Sequence, residues 1–393
     1  MKRGNGFSLI ELMTAIAILT IVVGATVGAL IQAQRTANSV VLAANVQENL
    51  RAGMHFLVRD LMQAGEGMPP GGVSIPLTSA GASNLNRPGI ITPVTTFPTT
   101  YTVLPVITPG YTLGQDAKTV STSTNAVLDG GLKTDIINIL YADNTLSDAS
   151  GHYLNSFPVA SASSPTCSGT INASGTSVTL ASSCFTMPGT PTPIGVGNLL
   201  LFTNGNGTAL EYVTSVSGQT INFAAGDPAG LNGLSATTYP DGTVQAMQAS
   251  TTTTTITRVW MISYYIDSTT NPSCPQLIRQ VNYPGYPSAA PVNPPQPIGD
   301  CIENLSFSYD ITGSSAPAGT YTIGPGDAPT PISPDSPSQI RAVNVTLEAR
   351  SEYPFTGAPG SDYFHNSLST QVSVRSMSFV NDFTTKTTAS PGP

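Results

Sequence analysis

Charge is what this 393-residue sequence has least of. Lys, Arg, Asp and Glu together make up 9% of the chain, against about 25% in typical soluble domains. The 14 basic residues are outnumbered by 22 acidic ones, so the formal net charge is −8. A protein that grips nucleic acid needs a basic face. We therefore expect no nucleic-acid partner for this chain.

Motifs for catalysis and metal binding are also missing. The sequence has no GxSxG, HExxH, P-loop or dinucleotide-binding fingerprint. Its three histidines are isolated, and no CxxC or CxxH spacing indicates a metal site. Asp and Glu are scattered singly, and we interpret nearly all of them as surface charges. The sequence thus predicts no catalytic residue, no cofactor and no metal, so we expect a protein that is not an enzyme.

Cysteines are few but even in number: Cys167, Cys184, Cys274 and Cys301. The low charge and abundant Thr and Ser are typical of extracellular β proteins, in which paired cysteines form disulfides. Four cysteines allow three connectivities, and free buried thiols are the alternative. We predict the pairs Cys167–Cys184 and Cys274–Cys301, because a proline-rich segment with little core of its own lies between the second two.

One long apolar run stands near the N-terminus. From Phe7 to Ala33 the only charged side chain is Glu11, and residues 12–31 carry no charge at all. Such a stretch is long enough to cross a hydrocarbon core of about 30 Å. Lys and Arg at positions 2 and 3 predict a cytoplasmic N-terminus. Ionisable residues within membrane helices are usually functional, so Glu11 calls for a partner.

Three interpretations compete for this N-terminus. A secretory signal peptide would be cut near residue 33, but it leaves Glu11 in its apolar core without a reason. A plain membrane anchor explains the length of the run but not the carboxylate. In the third interpretation, "MKRGNG" followed by "FSLIEL" resembles the leader of type IV pilins and type II secretion pseudopilins. That resemblance implies that a prepilin peptidase cuts after Gly6 and that the new N-terminal residue, Phe7, is methylated.

The same resemblance gives Glu11 a role. After cleavage Phe7 would carry an ammonium at a helix N-terminus, where positive charge is unfavourable and a carboxylate is favourable. In pilins this pairing is between subunits, which implies that Glu11 sets axial register during assembly. Gly24 and Gly28 form a small-xxx-small pair that permits close helix packing, although glycine is also common in membrane helices generally.

Beyond the membrane run, the pattern predicts a helix that continues to residue 64. Apolar residues recur at Leu50, Met54, Leu57 and Leu61, as on a helix with one buried face, and we place Asp60 among the charges outside that stripe. The later segments are rich in β-forming residues, and several alternate with period two. The predicted fold class is therefore α+β, with one long helix packed on an antiparallel sheet.

Composition, turn signals and the resemblance to pilins together imply a division of the chain into five parts. The divisions are a leader (1–6), a transmembrane half of the helix (7–33), an amphipathic half (34–64), a pilin-like β globular domain (65–160 and 251–393) and an inserted β module (161–250). Within the module, "LLLFTNGNGTALEYV" predicts a hairpin, because Asn-Gly pairs supply the positive φ angles of tight turns.

The order of these segments resembles that of PilW-like minor pilins. The matching pieces are "QENLRAGMHFLVRDLMQAG", "TDIINILY", "CIENLSFSYDI" and "IRAVNVTLEARSE". The resemblance implies a minor pilin of a tip or initiation complex, with other major and minor pilins, the prepilin peptidase and the inner membrane as partners. It would lie in the inner membrane before assembly and in the pilus at the cell surface afterwards. Two alternatives remain open: a type II secretion pseudopilin, or a tip adhesin whose module 161–250 binds a ligand.

Overall fold

The computed structural model describes most of the helical and strand-rich parts of the chain. The described residues are 8–69, 71–77, 85–88, 97, 102–115, 133–143, 157–159, 169–180, 194–232, 242–247, 254–283, 293–311, 337–354 and 363–374. The predicted cleavage and methylation site, Gly6 and Phe7, lies outside these ranges, as does the predicted pair Cys167–Cys184.

A single long helix, α1, runs from Leu9 to Gln63. No proline occurs within it, and at 1.5 Å per residue it is about 82 Å long. It ends where Gly65 and Gly67 adopt φ angles of +80° and +67°, a conformation that glycine reaches without steric penalty. The backbone N–H of Gly65 then donates to the carbonyl oxygen of Leu140 at 2.9 Å, which joins the helix end to the first long strand.

The strands are mostly short until the second half of the chain. Within the described residues they are β1 (Val73–Ser74), β2 (Val103–Leu104), β3 (Ile107–Gly110), β4 (Ile136–Ala142), β5 (Phe157–Val159), β6 (Gly169–Ile171), β7 (Ser177–Leu180), β8 (Leu199–Asn204), β9 (Gly207–Tyr212), β10 (Ser215–Ser217), β11 (Thr220–Asn222), β12 (Thr254–Asp267), β13 (Gln276–Val281), β14 (Gln296–Asp300), β15 (Ile302–Ile311), β16 (Ile340–Arg350) and β17 (His365–Ser373). A short helix, α2 (Val244–Met247), precedes β12.

The largest sheet is built around β12, and every pairing in it is antiparallel. Its main path runs β14-β13-β12-β4-β3. The first half of β12 pairs instead with β5 and with β8, and β8 continues into the predicted hairpin with β9. The 14 residues of β12 therefore connect two groups of strands.

The second large sheet is three-stranded, with the order β15-β16-β17. Along β16 the side chains at 343, 345, 347 and 349 are buried and those between them are partly exposed, which is the predicted alternation. The buried face of α1 packs with residues of both large sheets in one core, to which the helix contributes Val46, Leu50, Met54, Leu57, Leu61 and Ala64. The predicted α+β class is therefore confirmed.

A smaller four-stranded sheet, β10-β11-β7-β6, forms a second core with β8, β9 and α2. In this core the ring of Phe202 on β8 meets the ring of Phe223 edge to face, with centroids 5.6 Å apart. A third group of apolar residues lies near β1, β9 and β12 and includes Tyr212 and Tyr283.

Candidate assembly site on the N-terminal helix

The first turn of α1 contains the carboxylate that the sequence singled out. Glu11 is exposed, and its Oε2 accepts a hydrogen bond from the backbone N–H of Ser8 at 3.1 Å. A helix N-terminus presents N–H groups without intrahelical partners, and the carboxylate satisfies one of them. A negative charge here also compensates the positive end of the helix dipole. This geometry explains why glutamate stabilises the helix start in an isolated chain.

The helix from residue 8 to residue 38 does not contact the rest of the described protein closely enough to bury any side chain. Its exposed large apolar residues include Leu9, Ile10, Leu12, Met13, Ile16, Ile18, Leu19, Ile21, Val22, Val23, Val27, Leu30 and Ile31. Among the described residues, α1 is the one helix long and apolar enough to cross a membrane, judged by length and composition. This surface is too large to be left in water, so it needs lipid or other helices around it.

Polar side chains in this half of the helix are satisfied locally. The hydroxyls of Thr14, Thr20 and Thr26 donate to backbone carbonyls three or four residues earlier, at 2.9 to 3.0 Å. Because a hydrocarbon environment offers no water to a free hydroxyl, such bonds make threonine compatible with lipid. The uncharged run is therefore apolar in effect as well as in composition.

Gly24 and Gly28 lie one turn apart on this exposed half. A Cβ atom added at either position would meet no other described atom within 4 Å. The two glycines thus leave a shallow strip on the helix surface that no other described part of the chain fills.

The other end of α1 is fixed to the body by a buried ion cluster, which corrects the placement of Asp60 among the charges outside the buried stripe. The Asp60 side chain is fully buried, and its Oδ2 accepts from Arg279 Nε and from the Tyr264 hydroxyl, each at 2.6 Å. Arg59 adds a longer contact of 3.3 Å. Burial and the negative charge of Asp60 raise the pKa of Tyr264, so the phenol remains a hydrogen-bond donor.

Other carboxylates that we interpreted as surface charges are buried as well; they are Asp135, Asp143, Glu211, Asp227 and Glu303. Most of them contact groups that are distant in sequence, for example Asp143 with Arg258 and Glu303 with Arg350. Asp227 instead accepts from backbone N–H groups two to five residues later. A helical-wheel signal was available for Asp60, which lies three residues after Leu57 and therefore near the buried stripe. For the carboxylates on strands and loops, the sequence carried no comparable signal.

The disulfide Cys274–Cys301 is present, which confirms one of the two predicted pairs. It joins Cys274, two residues before β13, to Cys301, the residue directly after β14. The bond therefore closes a hairpin that the second half of α1 contacts. The prediction for Cys167–Cys184 stays a prediction.

Comparison with known families supports the interpretation of the N-terminus. Residues 1–27 match the family of the prokaryotic N-terminal methylation motif. The match supports a type IV pilin-like protein that is processed and methylated at its N-terminus and anchored in the inner membrane through α1. No curated protein and no solved structure matches the chain.

Proposed function

We propose that this chain is a minor, PilW-like subunit of a type IV pilus. The observation that carries the proposal is the methylation motif at residues 1–27 on a helix whose first thirty or so residues are exposed and apolar. Cleavage after Gly6 would place Phe7, with a methylated amine, two residues before the start of α1. Other major and minor pilins and the prepilin peptidase are the partners that this role requires.

Before assembly, residues 7–33 would span the inner membrane once, with the N-terminus in the cytoplasm and the body outside. About 20 helical residues cross a hydrocarbon core, so the exposed part of α1 is long enough. Residues 34–64 would carry the helix from the membrane onto the body. During assembly the same apolar surface would move from lipid into contact with neighbouring helices, and Gly24 and Gly28 would permit a close approach.

Glu11 is the residue that we propose to pair with a neighbouring subunit. A carboxylate within an apolar helix bundle is costly unless it is paired. The methylated ammonium of Phe7 on an adjacent subunit is a partner of the right charge, placed at the same level of the membrane. The bond to the Ser8 N–H uses one lone pair of the Glu11 carboxylate, which leaves capacity for such a partner.

A position at or near the pilus tip follows from the size of the body. About 330 residues follow the helix, and a compact domain of that length has a radius of gyration of roughly 20 Å. Packed helices lie only about 8–10 Å apart, so many such bodies along one shaft would collide. We propose that residues 65–160 and 251–393 form the pilin-like body and that residues 161–250 form an added β module joined to it through β8.

Two measurements test the processing and the pairing. Mass analysis of the N-terminal peptide from membrane-extracted protein should show a chain that begins with N-methylated Phe7; an end near residue 34 would instead establish a signal peptide.

Glu11→Ala should insert into the membrane but fail to enter sheared pili. Glu48→Ala, which removes an exposed carboxylate from the later part of α1, is the matched control and should assemble normally. Normal assembly of Glu11→Ala would contradict the pairing.

Location is tested by immunogold labelling of sheared pili with an antibody against residues 161–250. Label at one end of the filaments supports a tip subunit, whereas label spread along the shaft rejects it. A deletion strain separates the pilus from the secretion alternative: loss of surface pili with normal secretion is expected, and the reverse result would identify a pseudopilin.

A further inference from the structure

The second half of α1 packs on the three-stranded sheet and on the hairpin of β13 and β14, and three contacts to the hairpin are specific to single residues. Asn49 Nδ2 donates to the backbone carbonyl of Asp300 on β14 at 3.1 Å. Gly53 lies so close to β13 that an added Cβ would be 2.8 Å from Cδ2 of Leu277. Asp60 binds Arg279 on β13. These contacts extend over 11 residues of the helix, or about 16 Å.

The two groups that bind Asp60 are arranged side by side. Tyr264 on β12 is the direct cross-strand partner of Arg279 on β13, so both side chains point to the same face of the sheet. Arg279 has only 11% of its side chain exposed and Asp60 has none. The sheet therefore presents a buried positive group and a phenol donor that together select one position along the helix.

A helix that slipped by one turn would fail at this site. Phe56, Leu57 or Ala64 would then stand opposite Arg279 without offering an acceptor to the buried guanidinium, and Gln63 would offer a neutral oxygen but no negative charge. Asp60 would move into apolar surroundings, where an unpaired carboxylate is strongly unfavourable. The apolar stripe alone would tolerate such a slip far better, because its leucines and methionine repeat every three or four residues.

The lack of space at Gly53 also disfavours a slip of α1 by one turn. One turn of displacement would bring Phe56, Leu57 or Leu50 to the place where even a methyl group is crowded by Leu277. The disulfide Cys274–Cys301 holds together the two strands that carry Leu277 and the carbonyl of Asp300. The ion pair of Asp60, the close packing at Gly53 and the disulfide that holds the hairpin together therefore favour the same position of α1.

Position along the helix matters at its other end, where Glu11 lies 49 residues before Asp60, or about 74 Å away along a straight helix. A slip of one turn would displace Glu11 by about 5.4 Å relative to the body. Ion pairs form within about 4 Å. If the body is held by its neighbours, a slipped helix would carry Glu11 out of range of the neighbouring N-terminus.

We infer that Asp60, together with Gly53 and the disulfide-closed β13–β14 hairpin, is a register site that sets the axial position of α1 on the body. Through the rigid helix, Asp60 acts as a positioning residue for Glu11. The second statement rests on the function proposed above, whereas the first concerns the single chain.

The test replaces the buried ion cluster by apolar side chains of similar size, in the triple variant Asp60→Leu, Arg279→Leu and Tyr264→Phe. Such replacements of buried ion pairs are often neutral for stability, so the variant should stay folded while its register becomes ambiguous. The matched control is the buried pair Asp143 and Arg258, changed to Leu and Leu, which is similarly enclosed but joins β12 to the residue after β4.

Register is measured on the purified full chain in detergent, by dipolar spectroscopy between spin labels at His55 on α1 and Ser367 on β17, both exposed. The wild type and the control should each give one narrow distance distribution. The triple variant should give a second population displaced by about one helical turn, and its incorporation into sheared pili should fall at least tenfold.

Asp60→Asn, which keeps an acceptor for Arg279, should retain the narrow distribution. An unchanged distribution in the triple variant would overturn the register site. A broadened distribution with normal incorporation would overturn the link to Glu11 and leave the register site standing. If the triple variant does not fold, Gly53→Leu places a large side chain against Leu277 and Leu347 at the other end of the same site; a wild-type distance in that variant would also overturn the inference.

Discussion

Replacing Glu211 by glutamine should make the protein less sensitive to alkaline destabilisation. Glu211 lies on β9, is 4% exposed, and faces Leu200 on the neighbouring strand. Its carboxyl accepts from the backbone N–H of Val244, whereas its Oε2 has no hydrogen-bond partner in the described part of the chain. Burial, and then the negative charge of Asp227, raises the pKa of Glu211 well above 4.5.

The sign of the effect follows from where the proton is held. Below pH about 4.5 Glu211 is protonated in both the folded and the unfolded chain. Between that pH and its higher folded-state pKa, the unfolded chain releases the proton while the folded chain keeps it. The contribution of Glu211 to the free energy of unfolding therefore falls by about 1.4 kcal/mol per pH unit in this window.

Glutamine has the shape of the protonated carboxyl and cannot titrate. We expect Glu211→Gln to differ little from the wild type near pH 4 and to become progressively more stable than it above pH 5. Urea unfolding of the full chain in non-ionic detergent, followed by the fluorescence of Trp260, measures the difference at each pH. Glu348→Gln, on the partly exposed face of β16, is the matched control. A difference between wild type and Glu211→Gln that stays constant from pH 4 to pH 8 would refute the reasoning.

Three further changes test the packing of the body by the same urea assay. Leu57→Ala, at a side chain with 0% exposure in the main core, should lower the free energy of unfolding by about 2–5 kcal/mol, and a loss below 1 kcal/mol would contradict that placement. Changing Cys274 and Cys301 to Ser opens a 27-residue separation and should cost about 3.5 kcal/mol; equal stability with and without reductant would contradict this. Gly218→Ala and Gly242→Ala share positive φ angles of 55° and 76°, but only the added Cβ of the second meets backbone atoms, at 2.5 Å. The first should cost about 1–2 kcal/mol and the second clearly more, so equal losses would reject the crowding.

Local patterns predicted the elements of this fold well. The uncharged run and the apolar stripe predicted α1, the period-two alternation predicted β16, and the Asn-Gly turn predicted the hairpin of β8 and β9. Each of these patterns is formed by residues that are close together in the sequence, so it can be recognised without knowledge of the tertiary structure. The pair Cys274–Cys301 was also predicted, because the segment between them has little core of its own.

The arrangement of those elements was not predictable in the same way. Asp60 and Arg279 are 219 positions apart, and nothing in either neighbourhood indicates the other. The same holds for Asp135, whose carboxyl accepts from the backbone N–H groups of Thr112 and Phe307. Burial raises the pKa of this carboxyl. Such pairs arise only when the sheets stack, so a buried carboxylate on a strand looks like a surface charge in the sequence.

The way β12 is shared has a consequence for any attempt to shorten this protein. One edge of its first half is covered by β8, from Thr255 to Val259, and that strand lies within residues 161–250. Deletion of residues 161–250 would strip this edge and leave a row of backbone N–H and C=O groups in solvent. Uncovered edges of this kind invite pairing with other chains. A truncated form should therefore precipitate or self-associate through β12, so the pairing with β8 also protects the chain against fibre formation.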